Sequence, residues 1–264
     1  MVMGILNVTP DSFGEARPRL EPAAAIDAAL AMEAEGADII DVGGESTRPG
    51  ADAVSAADEA ARVLPVVRGL AGRLRIPLSI DTYKAEVARQ AVAEGAAIVN
   101  DISGLRYEPA LGGVVAETGA ALVLMHTRGR SKGMYEQAHY QEVVGDLVVD
   151  LRERIACALA AGVAMERLIV DPGIGFAKRA AHSYGVLARI SELADLDRPV
   201  LVGPSRKSFL REALQGRPAT ERDWGTAAAV TAAVLGGAHI VRVHAVAQMV
   251  QVVRVAEQIR KAGG

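Results

Sequence analysis

Residues 36–45 of the chain read GADIIDVGGE, and they hold the pattern that decides the fold. A short apolar run rich in isoleucine and valine follows Gly36, and polar residues come directly after it. Runs of this kind are typical of strands buried on both faces of a parallel sheet. The glycine before the run is suited to end the preceding helix, because it tolerates a positive φ.

Eight such runs alternate along the chain with longer, alanine-rich segments in which apolar residues recur at helical spacing. They lie near residues Val2–Val8, Ala37–Val42, Pro77–Ile80, Ala97–Asn100, Ala121–Met125, Leu168–Val170, Pro199–Val202 and His239–Val243. Eight strand and helix units in 264 residues predict an α/β fold, a (β/α)8 TIM barrel, with residues 1–264 forming one domain. An open doubly wound sheet is the structural alternative.

Two stretches interrupt the regular period, and we interpret both as loops: a polar insertion at residues 128–139 and a Gly- and Pro-containing segment at residues 214–224. Neither is long enough to link separate cores.

Charge and composition narrow the class of function. The net charge is −3, and lysine and arginine are scattered among the acids. The chain therefore lacks the basic stripe of a nucleic-acid-binding protein or of a membrane-surface protein. No apolar run reaches the ~18 residues of a membrane span. Cys157 is the single cysteine, which fits a reducing compartment. We expect a cytoplasmic protein with small-molecule partners, without nucleic acid or membrane.

Polar side chains lie at or just past the C-terminal ends of all eight predicted strands. They are Asn7, Asp41 with Glu45, Asp81, Asn100 with Asp101, His126, Asp171, Ser205 with Lys207, and Arg242 with His244. The carboxyl ends of barrel strands converge on one face, which holds the active site. Single members, such as Asp101 or His126, could instead cap a helix or be satisfied in the interior.

The composition of this ring indicates its ligand. Arg48, Lys207, Arg242 and His244 are donors suited to a diphosphate. Asp81, Asn100 and Asp171 are acceptors suited to the N–H groups of a flat heterocycle. Asn7 and Asp11 could supply the one or two oxygens that a magnesium ion on a diphosphate needs.

The sequence resembles the dihydropteroate synthases over nearly its whole length. The motifs that carry the resemblance are residues 3–13, 41–50, 79–82, 100–102, 171–176, 205–208 and 242–244. The resemblance implies an enzyme that joins a dihydropterin methyl diphosphate to p-aminobenzoate with loss of pyrophosphate. It also implies Mg2+ as the cofactor and a homodimer.

The resemblance further implies roles for individual residues. The pterin would contact Asp81, Asn100, Ile102, Met125, Asp171 and Lys207. The diphosphate would contact Asn7, Thr47, Arg48, Arg242 and His244, with Asn7 as the magnesium ligand. The p-aminobenzoate would contact Phe176, Lys207 and Ser208, the last at the start of a helix whose N–H groups receive the carboxylate. The catalytic set would be Asp11, Thr47, Arg48, Lys207, Arg242 and His244.

Two other functions remain open at this point. A folate:corrinoid methyltransferase would share the pterin-binding barrel, but it has no diphosphate to hold. A non-catalytic pterin-binding paralogue is the other alternative, because the chain departs from the family pattern at a few positions. Ala245 stands where an aspartate is common, Ser183 stands where an asparagine is frequent, and residues 14–18 differ from the usual first loop.

Overall fold

A computed structural model describes residues 1–9, 22–47, 50–130 and 133–263 of the chain. Its strands are β1 (Val2–Asn7), β2 (Ile39–Gly43), β3 (Leu78–Asp81), β4 (Ile98–Asp101), β5 (Ala121–Met125), β6 (Leu168–Asp171), β7 (Leu201–Val202) and β8 (Ile240–Val243). Its α-helices are α1 (Pro22–Ala34), α2 (Ala56–Leu70), α3 (Ala85–Ala93), α4 (Ala110–Thr118), α5 (Val143–Ala160), α6 (Ala180–Ala188), α7 (Asp223–Leu235) and α8 (Val246–Gly263).

The strands form one parallel sheet in the order β6-β5-β4-β3-β2-β1-β8-β7. The two ends of this order meet, because a parallel bridge joins Val170 in β6 to Val200 beside β7. The amide of Val170 donates to the carbonyl of Pro199 at 2.9 Å. The sheet is therefore closed, which confirms the predicted barrel over the open sheet.

Each of the eight observed strands lies within two residues of its predicted bounds. The five glycines that precede strands in the sequence all have a positive φ, from 70° to 116°: Gly36, Gly95, Gly119, Gly162 and Gly237. In the two stretches predicted as loops, the described residues form only short 3-10 turns, Met134–Gln137 and Ala219–Glu221, before α5 and α7 begin.

Two apolar cores result from the alternation of side chains along the strands. The larger core lies between the barrel and its helices and includes Ile40, Val42, Ile80 and Leu122. A smaller cluster draws on six different strands, which places it inside the barrel: Met3, Ile39, Ile98, Val123, Leu201 and Ile240. This cluster closes the lumen near the amino ends of the strands, so the lumen can open only at their carboxyl ends.

None of the helices in the described residues has the length and apolarity needed to cross a membrane.

Candidate active site

Strand alternation places a polar ring directly above the apolar floor of the lumen. Side chains two residues apart on a strand face the same side of the sheet. Ile39, Ile98 and Ile240 belong to the floor, so Asp41, Asn100 and Arg242 face the lumen one layer higher. By the same two-residue alternation, the side chains of Asn7, Asp81, Met125 and Asp171 also face the lumen. The sequence therefore folds into a polar mouth over an apolar floor.

The ring is joined by hydrogen bonds through Arg242. Its Nε donates to Asp41 Oδ2 at 2.6 Å, and its Nη2 donates to Asp81 Oδ2 at 2.7 Å. Asn100 Nδ2 donates to the same Asp41 oxygen at 3.0 Å. The third guanidinium nitrogen, Nη1, makes no hydrogen bond to any residue that the structure describes. Both N–H groups of Nη1 thus remain for a ligand.

Burial sets the charges of this group. Burial raises the pKa of Asp81 to about 7, and the negative charges of Asp41, Glu59 and Asp101 add to the rise. The positive charge of Arg242 opposes it. Burial lowers the pKa of Arg242, but Asp41 and Asp81 outweigh it, so the pKa lies above its usual value. Asp41 is fully buried, and its Oδ1 has no hydrogen-bond partner among the described residues. Asp41 Oδ1 can therefore still accept a hydrogen bond, in a site of low dielectric constant.

Asp171 ends β6, and the turn that follows it orients its carboxylate. Its Oδ1 accepts the amide of Gly173 at 2.7 Å. Burial raises the pKa of Asp171, opposed by the charge of Lys207 and by the Gly173 hydrogen bond. Gly173 has a φ of 65°, and a Cβ there would lie 2.0 Å from the carbonyl oxygen of His126. Only glycine fits where this turn passes β5.

We expect Gly173→Ala to destabilise the protein by about 3 kcal/mol or more, because the new methyl group clashes with backbone and the residue must keep a left-handed conformation. Urea unfolding followed by circular dichroism measures the effect. Gly113→Ala is the matched control: its Cβ meets nothing within 4 Å. Within α4 this change should stabilise the protein by about 0.5–1 kcal/mol. Equal stability of the Gly173 variant and the wild type would contradict the turn geometry.

Lys207 lies on the other side of the mouth, in the loop after β7. Its Nζ donates to the carbonyl of Ile174 at 2.6 Å and lies 4.4 Å from the centre of the Phe176 ring. Burial lowers the pKa of Lys207 to about 8, assisted by Arg242 and opposed by Asp171 and Asp81. The ammonium group is therefore held between a carboxylate cluster and an aromatic face.

An apolar wall stands beside the polar ring. Ile102, Met125 and Tyr83 form a buried cluster at the strand ends, with Phe176 and Tyr107 packed against it. This arrangement brings Ile102, Met125 and Phe176 together, as the resemblance implies. The mouth thus has acceptors and cations on one side and apolar surface on the other, which suits a flat, polar-edged ring.

Ser208 and His244 mark the outer edge of the site. His244 Nδ1 lies 2.9 Å from Ser205 Oγ, and Ser208 Oγ lies 3.2 Å from the hydroxyl of Tyr135. The predicted helix at this point is wrong: only a 3-10 turn, Ser208–Leu210, follows β7. Arg206, just before this turn, has a φ of 57°, a left-handed conformation that an α-helix cannot contain. Ser208 therefore offers a hydroxyl group, not the end of an α-helix.

The loop after β2 is fixed at its base by Glu45. The Glu45 carboxylate accepts from the hydroxyl of Tyr83 at 3.0 Å and from the amide of Val54 at 3.2 Å, and it pairs with Lys84. Thr47 follows this base and is partly buried. Arg48 and Asp11 lie outside the described residues, so their assignment remains a prediction.

Sequence reasoning left four groups of this region without a role in the site: Asp41, Tyr135, Lys84 and Lys178. Asp41 was part of the polar series, but its position within an apolar strand is the signal that marks it as a lumen residue. Asp101 fits the alternative interpretation, because its carboxylate accepts the amides of Ser103 and Leu105 at 2.7 Å and 2.6 Å. His126 is likewise satisfied by protein groups.

Comparison with known proteins agrees with this geometry. The model of the family described as "Pterin binding enzyme" matches residues 3–244. The chain is 46% identical to the dihydropteroate synthase of Synechocystis sp. over 98% of this chain and 89% of the relative.

Solved structures extend the likeness to three dimensions. The dihydropteroate synthase of Yersinia pestis, solved with a sulfonamide drug complex, has a TM-score of 0.93 at 42% identity, covering 98% of this chain and 94% of that chain. The enzyme of Xanthomonas albilineans in complex with 7,8-dihydropteroate has a TM-score of 0.88 at 39% identity, covering 98% and 93%. The chain belongs to the pterin-binding enzymes and, within them, to the dihydropteroate synthases.

Proposed function

We propose that the chain condenses (7,8-dihydropterin-6-yl)methyl diphosphate with p-aminobenzoate to give 7,8-dihydropteroate and pyrophosphate. The observation that carries the proposal is the convergence of acceptors and cations at one barrel mouth, where Arg242 bonds Asp41 and Asp81. The likeness to an enzyme solved with 7,8-dihydropteroate supports the choice of product.

The pterin ring would enter the lumen with its edge toward the buried acceptors. Asp81, Asn100 and Asp171 would accept its ring and exocyclic N–H groups, and Lys207 would donate to an acceptor on the ring. Ile102 and Met125 are buried next to each other at the same level and would pack on one face. A buried carboxylate gains most from a charge-matched donor that water cannot replace.

The bond changes require no covalent enzyme intermediate. The bond between the pterin methylene carbon and the diphosphate oxygen breaks, and its electron pair leaves with the diphosphate. The lone pair of the arylamine nitrogen forms the new C–N bond, and the nitrogen then releases one proton. Asp41, Asp81 and Asp171 would stabilise the positive charge that develops on the pterin, since preformed charges act strongly in a buried site.

The diphosphate would lie toward the outer edge of the mouth. Arg242 Nη1 and His244 would contact it, together with Thr47 and, from the segments outside the described residues, Arg48 and Asp11. Phe176, Lys207 and Ser208 would receive p-aminobenzoate. Lys207 would therefore lie between the two substrates and orient both for attack.

Mg2+ is the cofactor that we propose, with Asn7 as its protein ligand. Asn7 ends β1 beside Gly43, and its amide oxygen is a hard donor of the kind that Mg2+ accepts. The described residues contain no group of three or more metal-binding side chains, which fits an ion that takes most of its ligands from the diphosphate and water. When bound, the ion would neutralise charge on the leaving group.

The shifted pKa values of Asp81 and Lys207 predict that kcat/KM for the pterin substrate depends on pH as a bell-shaped curve. Asp81 accepts hydrogen bonds fully only as a carboxylate, so activity should fall as the pH drops below its pKa of about 7. Lys207 is cationic only below its pKa of about 8, so activity should fall again above that value. Steady-state rates between pH 5.5 and 9.5 measure the profile. Asp81→Asn should lack the acidic limb, and a flat wild-type profile would contradict these charge states.

Pyrophosphate release tests the proposed function directly. The purified chain should release one pyrophosphate per dihydropteroate formed when both substrates and Mg2+ are present, and none when either substrate is omitted. A non-catalytic paralogue would bind pterin without release. A folate:corrinoid methyltransferase would instead demethylate methyltetrahydrofolate in the presence of a corrinoid protein, and either result would refute the proposal.

We also propose a homodimer that works in the cytoplasm. Leu235 at the end of α7 and Val255 and Ile259 on α8 are large apolar side chains exposed on neighbouring helices. The single cysteine, Cys157, is free, which suits a reducing compartment.

A further inference from the structure

Lys178, in the loop between β6 and α6, is a lysine buried to 1% exposure. It is the bulkiest of the fully buried side chains in the described part of the chain. None of the ion pairs among the described residues includes it. Lysine is almost never buried in this way without a partner, and the reaction described above gives this side chain no task.

The Nζ atom of Lys178 joins two loops at the barrel mouth. It lies 2.8 Å from His126 Nδ1, at the end of β5, and donates to the carbonyl of Phe176 at 3.2 Å. His126 Nε2 lies 2.9 Å from the carboxylate of Asp150 in α5. The carboxylate requires the proton on Nε2, so Nδ1 accepts from Lys178. This fixes the donor and the acceptor in both hydrogen bonds of the Lys178–His126–Asp150 series.

The loop that Lys178 holds is in a conformation that it would not adopt unaided. Ala177, between Phe176 and Lys178, is completely buried and has a φ of 47°. A left-handed conformation costs an alanine about 1–2 kcal/mol. Its carbonyl accepts from the hydroxyl of Tyr140 at 3.0 Å. Hydrogen bonds to the carbonyls of both Phe176 and Ala177 therefore hold this strained segment in place.

We propose that Lys178 is a positioning residue for the arylamine substrate. By holding the carbonyl of Phe176, it keeps the Phe176 ring against the ammonium group of Lys207, at the 4.4 Å separation that the structure shows. This inference rests on the proposed function, since it assigns Phe176 to p-aminobenzoate.

The effect should fall on one substrate more than on the other. Lys178 bonds the backbone of Phe176 itself. Its charge also acts on the pterin acceptor Asp171, but less strongly than Lys207 and the Gly173 hydrogen bond do, and the amide of Gly173 orients that carboxylate. Asn100 is held by Asp41 on the opposite wall. Loss of the Lys178 bonds would loosen Phe176 and leave the pterin acceptors in place.

Steady-state kinetics of Lys178→Met in the full chain, with both substrates varied, tests the inference. Methionine is an unbranched apolar side chain only one atom shorter than lysine, and it removes the donors. KM for p-aminobenzoate should rise about tenfold, while KM for the pterin diphosphate and kcat change by about threefold or less, the pattern of lost binding to one substrate. Arg179→Met, an exposed basic residue at the next position, is the matched control and should match the wild type.

Tyr140→Phe provides a second test on a milder variant, because it removes only the hydroxyl that holds Ala177. It should raise KM for p-aminobenzoate by about threefold with the other constants unchanged, and it decides the matter alone if Lys178→Met does not fold. Equal rises in both KM values, or a fall in kcat alone, would overturn the inference. Absence of turnover in the wild type would instead refute the proposed function.

Discussion

Lys207→Met is expected to lower kcat/KM by about a thousandfold or more, because it removes an ammonium group that lies between the proposed sites of both substrates. The fold should survive. Lys207 is a desolvated cation whose direct hydrogen bond is to a single carbonyl, that of Ile174. Replacing a buried charge with an apolar side chain of similar size is often neutral or stabilising.

Kinetics combined with thermal unfolding separate these two effects for Lys207. The melting temperature should equal or exceed that of the wild type, while turnover is lost. Arg206→Met is the control at the adjacent position, where the side chain pairs with Asp223 at 2.7 Å and has no proposed substrate contact, and it should retain near-normal turnover. Near-normal rates in the Lys207 variant would remove the assignment of this residue to the reaction.

Arg242→Met should abolish turnover and also destabilise the fold by about 3–5 kcal/mol, the cost of leaving buried carboxylates without their partner. The loss of stability follows from the pairing, because Asp41 is fully buried and Arg242 donates to both Asp41 and Asp81. Urea unfolding, followed in parallel with the assay, measures the loss.

A triple variant is the control for the charge argument. Arg242→Met combined with Asp41→Asn and Asp81→Asn should regain much of the lost stability, because neither Asp41 nor Asp81 then leaves a buried charge without Arg242, and should remain inactive. If the single variant unfolds at the same urea concentration as the wild type, the buried network does not stabilise the barrel in the way its geometry indicates.

The strand ends could be predicted because a barrel repeats one local rule eight times. Apolar runs of a few residues followed by polar side chains mark each strand, and the period of two then fixes which side chains face the lumen. Asp81, Asn100 and Asp171 were found in this way, and the structure brings them to one mouth. The glycine before a strand, as at Gly95, gave an independent boundary.

The partners of these side chains could not be predicted, because pairing depends on distances across the barrel. Arg242 and Asp41 are separated by 201 positions in the chain but bond at 2.6 Å, and no spacing rule connects them. Lys178 was missed for a similar reason, since a lysine in a loop is usually solvated. The helix expected at Ser208 failed because Arg206 adopts a positive φ, which a pattern of residue types does not reveal.

The loop after β2 has supporting contacts that the sequence pattern did not predict. Its motif at residues 41–50 was identified from the sequence, but the ion pairs that hold its base were not. Lys84 pairs with both Glu45 and Glu59, and all three side chains are at most 11% exposed. Burial raises the pKa of Glu59, opposed by Lys84. This cluster holds the start of the segment that carries Thr47.

A crystal structure of the chain with 6-hydroxymethyl-7,8-dihydropterin and pyrophosphate is the most direct test of the central claim. The pterin ring should lie in the barrel lumen, with its N–H edge within hydrogen-bonding distance of Asn100 and Asp171, and pyrophosphate should contact Arg242. A ring bound outside the lumen, or one that leaves Asn100 and Asp171 without contact, would contradict the account.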